Sequence, residues 1–112
     1  MKIPNKIRIG GVDYEIQDVD HLNDGVSVCY GHISFEDSII QLHSSNQTHQ
    51  KKCITLWHEI LHGIVEHARM DFEEADEEQV IDVMARGIYQ VLQDNGRALF
   101  DIVERSDGDE AS

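Results

Sequence analysis

The sequence predicts an α+β domain in which a small N-terminal β-sheet packs on a long helix, with a second, glutamate-bearing helix beside it. Three observations carry this. Apolar residues alternate with polar ones as far as His43, the period of a strand half-buried in a sheet. Beyond that point they recur every three or four residues, the period of an amphipathic helix. Strands gathered first and helices after them describe an α+β chain. The 112 residues suit one domain with one core. Residues 1–105 read as that domain, and residues 106–112, the acidic SDGDEAS, as a disordered tail.

Each element has its own signal. KIRI (Lys6–Ile9) and VDYEIQDV (Val12–Val19) alternate on either side of Gly10-Gly11 and form a β-hairpin. HLNDG, residues 21–25, is loop. Residues 28–35 (VCYGHISF) and 38–43 (SIIQLH) are two further strands joined by a tight turn at Glu36-Asp37. Ser44 and Gln47 have the spacing of a capping box, which starts the first helix, and the helix runs to Arg69 or Met70. On a wheel of 100° per residue, Ile54, Ile60, Leu61, Ile64 and Val65 lie within about 80° of Trp57 and make the core-facing stripe. The second helix runs from Ala75 to Gln93 with a stripe of Val80, Ile81, Met84, Ile88, Val91 and Leu92, and Asp94-Asn95-Gly96 ends it. ALFDIVE, residues 98–104, is a short helix or an edge strand.

Charge and composition narrow the classes of function. The formal net charge is −13, which disfavours direct nucleic-acid binding, because phosphates are held by clustered Lys and Arg. It suits solubility first and a basic protein partner second. No apolar run approaches ~18 residues, so no membrane span is expected. MKIPNKIRIGG lacks the apolar stretch of a signal peptide, which argues for the cytoplasm. Cys29 and Cys53 stand in no CxxC pattern and read as free thiols.

The chemistry concentrates in TLWHEILHGIVEH, residues 55–67. His58-Glu59-Ile60-Leu61-His62 is an HExxH motif. Residues four apart share a helix face about 6 Å from each other, so both imidazoles can reach one ion. His58 and His62 fall about 100° and 140° from Trp57, at the border of the apolar stripe, and Glu59 falls about 200° away, off the core. An ion held there lowers the pKa of a bound water to about 7, and the neighbouring Glu59 can take the proton. Zinc requires a third protein ligand and an open fourth position. The extended HExxHxxGxxH pattern fails, because Val65 and Ala68 occupy the glycine and final histidine positions. His67 is one residue short and lies about 140° around the helix from His62. The stronger candidate is Glu78 in EQVID, with Asp82 one turn later to accept a hydrogen bond from a ligating imidazole. Glu77 is its rival, since it lines up with Ile81, Met84 and Ile88.

HExxH followed by ExxxD on a second helix resembles the gluzincin metallopeptidases, the class that includes thermolysin. Glu78, Val80, Asp82, Val83 and Met84 match the class's glutamate helix. The short chain, the strands before the motif and EEQVIDVMARGIYQVLQDN also resemble minimal gluzincins and the ImmA/IrrE-like proteins of phages and mobile elements. The likeness spans roughly Tyr30 to Asn95. Where those proteins carry Asn-x-Phe-Ala and Leu-Met-Pro after their glutamate, this chain has Asp82-Val83-Met84-Ala85-Arg86-Gly87. The resemblance implies a Zn2+ peptidase whose edge strand, residues 38–43, aligns an extended protein or peptide substrate. A transcriptional repressor is the substrate that the ImmA/IrrE-like proteins suggest.

The remaining residues read more plainly. His43 and His32, on or near the strands, are the candidates by position for stabilising an oxyanion, and each is otherwise a surface histidine. Tyr89 lies about 16 Å along the axis from Glu78, too far to share a site, and reads as packing. Trp57 reads as core, Glu66 as solvated, and the acidic tail either frays or folds back on the ion. Two functions follow. In the first, His58, His62 and Glu78 hold zinc and Glu59 activates water for peptide hydrolysis. In the second, the chain is an acidic protein-binding module, antirepressor-like, with a structural, latent or vestigial metal site.

Overall fold

The computed structural model describes residues 3–20, 30–44 and 47–96. The HLNDG loop, Cys29 and the start of its predicted strand, the ALFDIVE segment and the acidic tail lie outside them. The described residues form an α+β unit of a four-stranded mixed sheet and two helices. The strands are β1 (Lys6–Ile9), β2 (Val12–Val19), β3 (Gly31–Ser34) and β4 (Ile39–His43), and the helices are α1 (His49–Ala68) and α2 (Glu77–Asn95).

The hairpin forms as its alternation requires. β1 and β2 pair antiparallel with Ile9 opposite Val12, and the turn residues Gly10 and Gly11 both take positive φ, 60° and 84°. That backbone twist matches the twist of the strands and suits glycine. Along β1, Ile7 and Ile9 point inward and are fully buried, while Lys6 and Arg8 face water. β4 then inserts beside β2 in parallel, and β3 pairs antiparallel on its far side, giving the order β1-β2-β4-β3. β4 is therefore interior. The strand expected to form the edge, residues 38–43, is replaced in that role by β3.

The two edges of the sheet differ. The Asn95 side chain accepts from Arg8 N at 2.6 Å and donates to Arg8 O at 2.8 Å, and Gly10 N donates to Gln90 Oε1 at 3.1 Å. Amides from α2 thus occupy the outward groups of β1, as a further strand would. On β3, His43 N donates to Tyr30 O at 2.9 Å, so Tyr30, His32 and Ser34 pair with β4, and Gly31 and Ile33 turn their N–H and C=O outward. Among the described residues, none bonds those outward groups.

α1 crosses one face of the sheet. Cys53, Leu56, Ile60 and Ile64 meet Ile7, Ile9, Tyr14, Ile33, Ile40 and Leu42, with Val91 of α2 closing the core. The buried arc is centred on Leu56, Ile60 and Ile64 and away from Trp57, so two expectations are corrected. Ile54 is 63% exposed, and Glu59 is only 6% exposed. The start of the helix also moves. Thr48 is the N-cap, accepting from Lys51 N at 3.1 Å, because Gln47 and Ser44 are engaged elsewhere: Gln47 donates to the Tyr30 and His43 carbonyls, and Ser44 Oγ donates to Asp20.

α2 opens with a capping box between Asp76 and Gln79 and closes at Gly96. Val83, Met84 and Ile88 pack against the core, whereas Ile81 and Leu92, expected in the stripe, are exposed. The helices approach closely at Gly87, where a β-carbon would collide with Ile64. No described helix is long and apolar enough to cross a membrane.

Candidate functional site

The sheet and α2 cover different flanks of α1 and leave a strip between them. His58 and His62 occupy that strip and are exposed. Their Nε2 atoms stand 3.2 Å apart and their ring centroids 4.8 Å, with the planes at 72°. Two imidazole nitrogens that share a tetrahedral zinc at about 2.0–2.1 Å would stand about 3.3–3.4 Å from each other. The helix alone therefore presents the pair at the separation that one ion requires. Without an ion the same distance suits a hydrogen bond in which one Nε2–H donates to the other ring.

Glu59 turns the other way, under the sheet. β3 crosses it so closely that a β-carbon at Gly31 would stand 3.3 Å from Glu59 Oε2 and 2.5 Å from Thr55 Cγ2. Burial pushes the Glu59 carboxyl above the ordinary glutamate value, and the nearby His58, His62 and His32 oppose that rise. The sequence placed this carboxylate off the core. α1 in fact touches the sheet over a wide arc, and Gly31 lets the strand reach round to position 59.

Two cavities flank the pair. One, of about 210 Å³, is lined by Tyr30, Gly31, Lys51, Ile54, Thr55, His58 and Glu59. The other, of about 230 Å³, is lined by His58, Leu61, His62, Val65, Phe72 and Met84. His58 borders both, and the open backbone groups of β3 lie beside the first. Gln47 holds this corner together. Its Nε2 donates to Tyr30 O at 3.0 Å and His43 O at 2.9 Å, and its Oε1 accepts from Thr55 Oγ1 at 2.9 Å.

The other sequence-derived residues sit as follows. Glu77 and Glu78 are exposed in the first turn of α2. Among the described residues, no group of three His, Cys, Asp or Glu is gathered closely enough to hold an ion. Asp82 accepts from Arg86 Nε at 3.0 Å and lines a cavity with Arg69, Met70, Gln79 and Val83, away from the one that holds the imidazoles. His67 lies 2.8 Å from the Tyr14 hydroxyl, edge-on to its ring. His43 is buried at the end of β4, and His32 is exposed on β3. Tyr89, read as packing, is 69% exposed.

Sequence reasoning missed Gly31, Lys51 and Thr55, and assigned Gln47 to a cap. Gly31 had a readable signal, since a glycine inside an alternating strand marks close backbone approach. No family model matches this chain, and neither a curated protein nor a solved structure matches it significantly.

Proposed function

We propose that this protein is a zinc-dependent peptidase. The observation that carries the reading is the 3.2 Å separation of His58 and His62 Nε2 on a helix whose next side chain, Glu59, is a buried carboxylate. The donor chemistry fits in that respect: two imidazoles converge from one helix face. Glu78, or its rival Glu77, would complete the set from α2. Zinc bound there supplies Lewis acidity, polarising a carbonyl and acidifying a water.

The chain's own residues would do the rest. Glu59 accepts the proton of the attacking water and returns it to the leaving amine. Its burial keeps bulk water from competing for that proton. An extended peptide adds to the β3 edge through the outward N–H and C=O of Gly31 and Ile33, which sets the scissile carbonyl beside His58 and Glu59. The substrate class is an extended protein or peptide segment, with a transcriptional repressor and a cytoplasmic setting resting on the resemblance alone. Purified protein should carry about one zinc per chain, lost in His58→Ala. Glu59→Gln should keep the zinc and lose hydrolysis, and undiminished cleavage by that variant would overturn the mechanism.

One observation favours a second reading, an acidic binding module with a latent or vestigial site. No third ligand is gathered beside the two imidazoles among the described residues. Absence of bound metal after zinc is supplied at neutral pH would select this reading.

A further inference from the structure

The cavity beside the open edge of the sheet is bordered by a cation, Lys51, that pairs with no carboxylate among the described residues. Lys6 and Arg8 both reach Asp13, Lys52 reaches Asp18, and Arg86 reaches Asp82. Lys51 reaches no carboxylate among the described residues, although the chain has 22 acidic residues to nine basic ones. Its Nζ lies 4.8 Å over the Tyr30 ring, at the wall of the 210 Å³ cavity that also contains Gly31, Ile54, Thr55, His58 and Glu59. Tyr30 and Ile54 are both exposed there, so the wall combines apolar surface with the positive charge of Lys51, and the polar Thr55, His58 and Glu59 also line it.

We propose that this cavity is a specificity subsite for an acidic side chain of a peptide paired with β3, and that Lys51 reads its carboxylate. The proposal rests on the peptidase reading for its substrate class. A strand added at Gly31 and Ile33 sends alternate side chains toward α1, and the cavity lies on that side. The methylenes of a Glu or Asp pack on Tyr30 and Ile54 while the carboxylate meets Lys51 Nζ. An apolar side chain would desolvate Lys51 without pairing it, and a basic one would be repelled.

The test is selection of a displayed random peptide library on immobilised, zinc-loaded, full-length Glu59→Gln protein, followed by sequencing of the retained pool. Asp and Glu should be enriched at one position by about fivefold, the range of a partly exposed ion pair. Adding Lys51→Met, which keeps the length of the side chain and loses its charge, should abolish the enrichment. Adding Lys51→Glu should replace it with enrichment of Lys and Arg. An acid in the first turn favours the helix dipole, so that variant should fold. Acidic enrichment that survives Lys51→Met, a pool with no charge preference, or no retained peptide overturns the proposal. Incubating the selected peptides with wild-type protein separates the two readings. Lys51-dependent selection without cleavage leaves the subsite standing and removes the peptidase. Cleavage without Lys51-dependent preference does the reverse.

Discussion

Gly31 on β3 lies against Glu59 on α1 so closely that a β-carbon at position 31 would stand 3.3 Å from Glu59 Oε2 and 2.5 Å from Thr55 Cγ2. Neither side can yield freely, because α1 is held by the core and β3 by β4. Gly31→Ala should therefore cost about 1–3 kcal/mol, the usual range for overpacking, measured by urea denaturation. Thr55→Ser removes the closer obstacle, the Cγ2 methyl, and keeps the hydroxyl that bonds Gln47. The double variant should recover most of the loss, a coupling that a mutant cycle reads directly. Simple additivity of the two changes would show that the contact with Thr55 is not the cause.

Burial of the Glu59 carboxyl has a consequence for stability in metal-free protein. Its affinity for a proton is raised by folding, so the native state holds that proton at pH values where the unfolded chain has released it. The contribution of this group is fully present below the unfolded glutamate pKa, and it is lost as pH rises through the folded value. Glu59→Gln removes the titration. Its stability in EDTA should fall less than that of wild type as pH is raised from about 4 toward neutrality. Parallel stability curves for the two proteins would contradict the burial of the carboxylate.

The distribution of acids on α2 makes the third zinc ligand a direct comparison. Glu78→Ala should weaken zinc binding by more than the roughly 10–100-fold that outer hydrogen-bonding partners of a metal site cost, and Glu77→Ala should leave it near wild type. The reverse order would assign the ligand to Glu77. Asp82→Asn should leave zinc affinity unchanged in either case, because Asp82 bonds Arg86 and lines a different cavity. Titration calorimetry with a competing chelator measures all three.

Local patterns were the legible part of this chain. The hairpin could be read because alternation and Gly10-Gly11 are neighbours in sequence, and the His58–His62 pair because one helix turn sets it. The parallel pairing of β2 with β4 could not, since it joins residues about 24 positions apart, from Glu15 with Ile39 to Val19 with His43, and no local period encodes which strands meet. The interior place of β4, and so the identity of the open edge, was hidden for the same reason. The wheel misplaced Glu59 and Ile54 because it assumes one flat contact face, whereas β3 reaches round α1 at Gly31. Spacing on α2 put Glu78 and Asp82 on one face but could not say which way that face turns.

Two side chains of α2 close the β1 edge of the sheet, Asn95 at Arg8 and Gln90 at Gly10, and Asn95 makes most of the bonds. Asn95 both accepts from Arg8 N and donates to Arg8 O, and also donates to Val91 O at 2.7 Å. Asn95→Ala should cost about 1–3 kcal/mol through the backbone groups left without a partner. It should also expose the outward groups of β1, which invites edge-to-edge association. Light scattering at rising concentration should show the variant, and not wild type, self-associating. A monomeric variant of unchanged stability would mean that Gln90 and the Lys6 and Arg8 charges protect the edge without Asn95.

Gln47 joins three elements with one amide, so its two ends can be tested separately. Gln47→Leu removes all three of its bonds, to the Tyr30 and His43 carbonyls and from the Thr55 hydroxyl, and should cost about 1–3 kcal/mol. Gln47→Glu keeps the acceptor for Thr55 but, when ionised, faces two carbonyl oxygens with lone pairs where the amide had donors. Protonated, it regains one O–H donor. Its stability relative to wild type should therefore improve as pH falls, whereas the deficit of Gln47→Leu should not depend on pH. The loosened strand is the one that carries Gly31 and Ile33, so faster amide exchange at β3 in both variants near neutral pH would tie the amide to the placement of the open edge. Unchanged exchange at β3 with lowered global stability would confine Gln47 to the cap region of α1.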